Sequence, residues 1–291
     1  MTASGMSETS TMAASQRQKV LDRVVLYLSF AVVAVFAFFP IYWMLVTSLT
    51  PANQVFRFPP KLFPASLTLD HYQAFFDNPT LLRYFRNSLF VSTVTAVGSI
   101  LISTYAAYSF SKFRYAGRRA LMFLILSAQM FPQALLLIAL YLMFDELGLL
   151  NSYWSMILAF TTFTLPLCIW MLKSYFDTIP DDLIEAAKVD GAGQFQIIHR
   201  ILMPLAAPAL VSTTLFAFIR GWNDYIYALT LAGPHKMTLP PGLVLTYIGE
   251  FQTSWPNLMA SSFIVSLPIV IAFLFMQRYI AGGLVAGAVK G

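Results

Sequence analysis

A short run of charged, amide and aromatic side chains interrupts an otherwise apolar stretch late in the sequence. Arg220 and Asp224 lie four residues apart, and this spacing predicts that they share one helix face at pairing distance. Trp222, Asn223 and Tyr225 accompany them. Carboxylate and amide groups can hydrogen-bond to the hydroxyl groups of a polar solute, while aromatic rings pack against its apolar faces. The run is therefore a candidate ligand-binding site.

Two glutamines form a second candidate set. Gln129 and Gln133 are also four residues apart within an apolar stretch, so we expect both on one helix face. The alternative for the first set is a purely structural pair, in which Arg220 and Asp224 contact each other and no ligand. Arg220 also permits a third interpretation, in which the ligand is phosphorylated or acidic.

Most catalytic and metal-binding patterns are absent from the sequence. It contains no Gly-x-x-x-x-Gly-Lys-Ser/Thr loop that would hold nucleotide phosphates, so the chain is not expected to hydrolyse ATP. His71, His199 and His235 are far apart, and Cys168 is the single cysteine. We predict no catalytic residue and no metal site, and therefore a chain that is not an enzyme.

Composition places these residues in a membrane protein. The chain of 291 residues is 58% hydrophobic and only 11% charged, against roughly 25% charged residues in a soluble domain. A helix that spans a bilayer needs about 20 apolar residues. Six such stretches predict an all-α, polytopic fold with six transmembrane helices, at about residues 24–46, 88–110, 120–144, 153–172, 205–231 and 258–277.

Basic residues between the predicted spans indicate the orientation. With the amino terminus inside, 12 Lys and Arg residues fall on the cytoplasmic side and 5 on the external side, as the positive-inside rule requires. Both termini are therefore predicted to be cytoplasmic, with residues 1–23 forming a largely disordered tail and 24–291 the membrane domain. The basic residues are scattered and form no stripe, which argues against a nucleic-acid partner.

The predicted cytoplasmic segment 177–204, here called the elbow, has an unusual composition. Pro180 precedes one helical stretch, Gly191 and Gly193 interrupt it, and a second short stretch follows, which together predict a helix-turn-helix with an apolar side that no neighbouring loop is long enough to cover. An elbow lying on lipid would be rich in Lys and Arg. This one instead carries five acids, which favours a protein partner: Asp177, Asp181, Asp182, Glu185 and Asp190.

The elbow resembles the EAA loop of bacterial ATP-binding-cassette (ABC) importer permeases. The matching residues are Glu185-Ala186-Ala187, then Gly191, Ile201 and Met203-Pro204, where the family usually has Leu before the proline. In that family the loop is a coupling helix that docks on the ATPase. The resemblance therefore implies ATPase coupling by Glu185, Ala186, Ala187, Asp190, Gly191 and Pro204.

Other segments are similar to the six-span, maltose-type carbohydrate permeases. They are Trp222-Asn223-Asp224-Tyr225, Gln129-Met130-Phe131-Pro132 and the closing stretch 283–291, which contains Gly287-Ala288-Val289-Lys290. The resemblance implies a type I importer fold in a prokaryotic plasma membrane and import of a carbohydrate, with a di- or oligosaccharide expected. The partners would be a second permease, an ATPase dimer that binds ATP and Mg²⁺, an extracytoplasmic binding protein and membrane lipid. This chain itself would hold no cofactor.

Two hypotheses from other classes stay open on sequence grounds. An ion-driven secondary transporter would use Arg220 and Asp224 to relay protons, and it would work without a partner ATPase. A membrane scaffold or enzyme is the third class, although the sequence supplies no catalytic constellation for it.

Overall fold

A computed structural model describes residues 4–249 and 253–288 of the chain. The described residues are predominantly helical and contain no β-strand, which confirms the all-α prediction. The α-helices in chain order are α1 (Ser4–Ser48), α2 (Asp70–Phe76), α3 (Pro79–Lys112), α4 (Arg118–Ser127), α5 (Gln133–Glu146), α6 (Tyr153–Phe176), α7 (Asp181–Val189), α8 (Gln194–Gln196), α9 (Met203–Leu205), α10 (Ala207–Trp222), α11 (Ile226–Leu231), α12 (Leu239–Tyr247) and α13 (Trp255–Ala288).

Four helices are long and apolar enough to cross a bilayer. They are α1 from Leu21 onward, α3, α6 and the part of α13 up to Gln277, while two bent helix pairs raise the number of candidate spans to six. One pair joins α4 and α5, with a bend of 97° between Arg118–Met130 and Gln133–Glu146. The predicted third span is therefore not straight, because Pro132 lacks a backbone N–H and forces the preceding Phe131 into extended backbone.

The predicted fifth span, residues 205–231, is also interrupted. Helix α10 ends at Trp222 and α11 begins at Ile226, so one continuous helix is replaced by two. The Asp224 carboxylate accepts a hydrogen bond from the Ala228 N–H at 3.0 Å and so satisfies a free donor in the first turn of α11. A second bend of 85° separates Gln194–Leu205 from α10.

The ends of the chain differ from the prediction in one respect. Helix α1 begins at Ser4, so the tail predicted as largely disordered is helical from that residue onward. Its composition permits this, because residues 6–23 contain neither Gly nor Pro and include good helix formers such as Ala, Met and Gln. Residues 1–3 of the predicted tail, and 289–291 of the closing stretch, lie outside the described residues.

Helix α3 is the centre of the packing, with α6 and α10 against it. Small side chains allow α10 to approach closely, since a Cβ added to Gly221 would lie 3.2 Å from the Ser92 Cα atom. Helices α3 and α10 run antiparallel. Four residues along each helix from this contact, Ala217 of α10 packs with Ala96 of α3. Against α6, the Ser99 and Thr164 hydroxyls hydrogen-bond at 2.7 Å. Close backbone approach with a few hydroxyl pairs is how helices associate in lipid, where apolar burial alone gives little driving force.

The amino-terminal end of α3 is held by one buried amide. The Asn87 Nδ2 group donates to the carbonyl oxygens of His235 at 3.1 Å and Met237 at 2.8 Å. Its Oδ1 atom accepts from the Tyr153 hydroxyl at 2.8 Å. A single side chain therefore joins α3, α6 and the loop that precedes α12.

Replacing Asn87 by Ala should destabilise the bundle by about 3 kcal/mol, because three hydrogen bonds worth about 1 kcal/mol each are lost. The thermal unfolding midpoint in detergent should fall by roughly 6–12 °C. Asn223→Ala is the matched control, since Asn223 is exposed and should leave the midpoint unchanged. Equal midpoints for the two variants would contradict the role assigned to Asn87.

Candidate functional site

The elbow has the predicted helix-turn-helix arrangement. Helix α7 begins directly after Pro180 and ends at Val189. Gly191 follows with a φ of +82°, a left-handed conformation that favours glycine. A Cβ at Gly191 would meet no heavy atom within 4 Å, so the backbone conformation, and not the available space, is the reason for glycine here. The second half of the elbow runs through α8, a π-helical segment Ile197–Leu202 and α9.

The apolar side of the elbow packs on the chain's own membrane helices. Ile184 and Ala187 of α7 share one buried cluster with Ile197 and Ile198 of the π-helical segment. Four residues of α3 and α6 belong to the same cluster: Ala107, Tyr108, Leu172 and Phe176. The apolar side, which no neighbouring loop is expected to cover, is covered instead by the ends of the helices α3 and α6. Burial of this side fixes the elbow to the bundle.

Charged side chains brace the elbow at its start. The Lys112 Nζ atom, on a side chain only 7% exposed, donates to the Asp181 carboxylate at 2.7 Å and to the Ile179 carbonyl at 2.6 Å. The Asp177 carboxylate accepts from Lys173 at 2.5 Å and from the Ser111 hydroxyl at 2.7 Å. Both acids are therefore used within the chain, and they hold α7 against the ends of α3 and α6.

These contacts keep both carboxylates ionised. Partial burial raises the pKa of Asp177, but the hydrogen bonds from Lys173 and Ser111 outweigh it and the net pKa lies below the ordinary 3.8. The hydrogen bond from Lys112 lowers the pKa of Asp181. A lowered carboxyl pKa contributes stability that is complete above the ordinary value and is lost as the pH falls through the lowered one. The ion pairs of Lys112 with Asp181 and of Lys173 with Asp177 are therefore fully formed at neutral pH and weaken only below about pH 4.

The opposite side of the elbow is open. Asp182, Glu185 and Asp190 are exposed, and in the part of the chain that the structure describes none of them forms an ion pair. Apolar side chains stand beside them, with Val189 88% and Phe195 65% exposed. Of the other residues predicted for coupling, Ala186, Gly191 and Pro204 are exposed, whereas Ala187 is buried on the bundle side. Acidic and apolar groups thus form one exposed surface, here called the front of the elbow.

The first predicted ligand set lies at the break between α10 and α11. Arg220 and Asn223 are exposed, and Asp224 and Tyr225 are half-buried. The predicted pairing on one helix face is wrong, because the helix ends between Arg220 and Asp224 and the described residues include no ion pair between them. Arg220 is left exposed and without an ion pair within the described residues, and its charge acts on Asp224 only at longer range.

Trp222 differs from its neighbours. It is only 1% exposed and lies between Phe85, at a ring distance of 5.7 Å, and Phe218 at 5.4 Å. The structure therefore gives Trp222 a packing role between α3 and α10 and leaves no face of its ring for a ligand. Its position within the sequence run gave no sign of this burial.

The two glutamines do not share a helix face, since the break at Phe131 and Pro132 separates them. The Gln129 side chain donates to the Phe163 carbonyl at 2.7 Å, and the backbone carbonyl of Gln133 accepts from the Tyr227 hydroxyl at 2.5 Å. Tyr227 belongs to α11 and also packs edge-on against Phe163 at 5.0 Å. The α4–α5 break and the α10–α11 break therefore meet, and the two predicted ligand sets form one region.

Sequence reasoning missed the residues that hold these sites together. The positive-inside rule uses Lys112 only as one charge in a total, and hydropathy treats Tyr227 and Phe163 only as parts of the spans 205–231 and 153–172. One available signal was the position of Lys112 at the end of a long apolar run, where a cation can reach the carbonyls and acids of the next cytoplasmic segment. No local pattern singles out Tyr227 or Phe163.

Comparison with known proteins shows which family the chain belongs to. The model of the binding-protein-dependent transport system inner membrane component matches residues 99–285. The inner membrane ABC transporter permease protein YcjP of Escherichia coli (strain K12) is 38% identical over 278 residues, covering 94% of this chain and 99% of that protein. The trehalose/maltose transport system permease protein MalG of Thermococcus litoralis is 36% identical, with the same coverage of both chains.

A solved structure supports the same family. The crystal structure of a bacterial ABC transporter involved in the import of the acidic polysaccharide alginate contains a chain that superposes with a TM-score of 0.80 at 25% identity, over 90% of this chain and 98% of that one. The likeness confirms the predicted multi-pass importer-permease fold. The chain therefore belongs to the binding-protein-dependent transport system inner membrane components, the non-catalytic permease subunits of ABC importers.

Proposed function

We propose that this chain forms, with a second and related permease, the pathway by which a carbohydrate enters the cell, and that a separate ATPase dimer drives it. An extracytoplasmic binding protein hands over the carbohydrate, and ATP and Mg²⁺ bind to the ATPase. A carbohydrate is favoured because the relative from Thermococcus litoralis is named for trehalose and maltose, and the transporter of the matching structure imports a polysaccharide.

The observation that carries the proposal is the two-sided elbow. Its back is buried on α3 and α6 and braced by Lys112, so a displacement of the elbow must displace those helices. Its front presents unpaired acids and exposed apolar side chains, a combination that suits a protein surface with a basic, partly apolar groove. Docking of the ATPase there would convert closure of the ATPase dimer into a rigid-body movement of the bundle.

The orientation of the chain in the membrane follows from the proposed docking of the ATPase on the elbow. An elbow that docks on an ATPase lies in the cytoplasm, which agrees with the excess of basic residues on that side. We accordingly place both termini in the cytoplasm and the Asn87 end of α3 outside. The membrane is a prokaryotic plasma membrane.

The proposed solute pathway passes the two helix breaks. Non-helical backbone within a membrane is tolerated only where protein covers it or where it lines a watery cavity. Both breaks place polar groups together, and Asn223, Asp224 and Tyr225 retain exposed surface there. Their hydrogen-bonding groups suit the hydroxyls of a sugar, with Gln129 and Gln133 at the neighbouring break.

An anionic solute is the second candidate. Arg220 is exposed beside Asn223 and has no ion-pair partner within the described residues, so a cation is available at the proposed pathway. This agrees with the acidic polysaccharide carried by the transporter of the matching structure. Uptake measured in competition with neutral sugars, and separately with sugars that carry a uronic acid, decides between a neutral and an anionic solute.

Glu185→Lys should abolish co-purification with the ATPase, because it reverses the charge at the centre of the front of the elbow without touching the buried back. The measurement is the amount of ATPase retained on the affinity-purified permease. Glu146→Lys makes the same charge reversal at an exposed site on the proposed external side and should retain the ATPase. Retention of the ATPase by Glu185→Lys would reject the proposed docking surface.

Lys112→Met should uncouple transport from ATP hydrolysis, because it leaves the Asp181 carboxylate and the Ile179 carbonyl without their partner and loosens the elbow on α3. The measurement is the number of solute molecules imported per ATP hydrolysed in proteoliposomes, which we expect to fall while the ATPase stays bound. Arg119→Met removes an exposed cation that has no contact with Asp177 or Asp181 among the described residues and serves as the control. An unchanged ratio in Lys112→Met would show that the contacts of Lys112 with Asp181 and Ile179 do not transmit movement from the elbow to α3.

Asn223→Ala should lower uptake by raising the apparent KM for the solute, because it removes an exposed amide at the proposed pathway. Asp224→Asn should have a smaller effect on folding than Asp224→Ala, since Asn also caps helix starts and Ala costs about 1 kcal/mol there. Uptake with a normal KM in Asn223→Ala, at normal expression, would remove this break from the pathway.

A further inference from the structure

The segment between α1 and α2 contains a cationic cavity that the proposed transport function does not use. It has a volume of about 320 Å³ and lies where α1 ends and α13 begins. Its walls include Trp43 and Trp255 from the two helices and Arg57 and Lys61 from the intervening loop. Among the described residues, 4–249 and 253–288, no acidic side chain lines it.

Neither cation has an ion-pair partner among the described residues. In the part of the chain that the structure describes, the ion pairs are Lys112 with Asp181 and Lys173 with Asp177, so neither Arg57 nor Lys61 has a carboxylate partner. Two like charges that line one small cavity repel each other unless an anion lies between them. The cavity therefore has the electrostatics of an anion site.

The loop around the cations presents apolar side chains outward. Phe56 is 76% exposed, Phe58 94% and Phe63 74%. Aromatic residues interleaved with Arg57 and Lys61 suit the boundary between lipid chains and headgroups, where rings enter the apolar layer and cations reach phosphates.

The loop is attached to the end of α1, whose apolar stretch is not buried within this chain. The Tyr42 hydroxyl donates to the Leu62 carbonyl at 2.5 Å, and the Tyr42 ring packs edge-on against Phe63 at 6.2 Å. Residues Leu21–Ser48 of α1 contain a strongly apolar window of which no residue is buried within the chain. The loop is therefore held beside the end of α1, at the depth where the apolar run ends and headgroups begin.

From this geometry we propose that the cavity binds the phosphate of an anionic phospholipid, in the outer leaflet according to the proposed orientation. Arg57 and Lys61 contact the phosphate, Trp43 and Trp255 flank the glycerol region, and the phenylalanines of the loop lie among the acyl chains. A soluble phosphate or an acidic surface of the binding protein would satisfy the two cations equally well. A soluble phosphate would leave the exposed aromatic side chains unused, and the attachment of the loop to the apolar helix α1 favours lipid over a protein surface.

The test is native mass spectrometry of the purified transporter complex, delipidated and then titrated with phosphatidylglycerol or phosphatidylcholine. The double variant Arg57→Gln with Lys61→Gln should lose one tightly held phosphatidylglycerol per copy of the chain. Its apparent Kd should rise roughly 25-fold, because each of the two cations near an anionic lipid contributes about five-fold. Phosphatidylcholine should bind weakly to both proteins.

Two controls make the result specific. Arg57→Lys with Lys61→Arg keeps both charges and should retain the lipid, which separates loss of binding from misfolding. Arg86→Gln with Lys236→Gln removes two cations from the same proposed side but outside the cavity, and it should leave the Kd unchanged.

Three outcomes would overturn the proposal. They are equal phosphatidylglycerol affinity in the Gln double variant and wild type, displacement of the lipid by millimolar inorganic phosphate, and loss of binding-protein association with lipid retention unchanged. Because the readout is lipid retention, failure here is distinct from failure of the transport assignment.

Discussion

Every backbone N–H and C=O group of this chain that lies in lipid must find a partner within the protein, and this constraint decides where the helices can break. At the α4–α5 break the Tyr227 hydroxyl supplies the partner of the Gln133 carbonyl, and the Gln129 side chain returns to the Phe163 carbonyl. At the α10–α11 break Asp224 accepts from the first turn of α11. The polar groups that satisfy the breaks therefore also concentrate hydrogen-bonding capacity in one part of the bundle.

The same reasoning applies to charge at the elbow. A cation as buried as Lys112 is tolerated only when its donors are used, and here they bind the Asp181 carboxylate and the Ile179 carbonyl. Asp177 is used in the same way by Lys173 and Ser111. Of the five elbow acids two are therefore structural, and the remaining three form the front. Charge composition alone counted all five as available to a partner.

Apolar runs predicted the helical class and most spans, because a run of about twenty apolar residues has one low-energy backbone form in lipid. The elbow was predicted from Pro180, the paired glycines and its acids, each of which acts locally. The errors arose where tertiary contacts decide. Arg220 and Asp224 were paired on the assumption of a continuous helix, and the burial of Trp222 depends on Phe85, which is 137 residues away in the chain. Hydropathy averages over both breaks and does not detect them.

Helix α3 links these regions into one mechanical unit. It has 34 residues and is therefore about 51 Å long, enough to cross the bilayer with both ends outside the apolar layer. Its last residue, Lys112, holds the elbow, and Asn87, near its start, holds the loop before α12. Between them Ser92 lies close against Gly221, one residue before the end of α10 at Trp222. A rigid helix anchored at both ends cannot move at one without moving at the other, so a force on the elbow reaches the break through α3 itself.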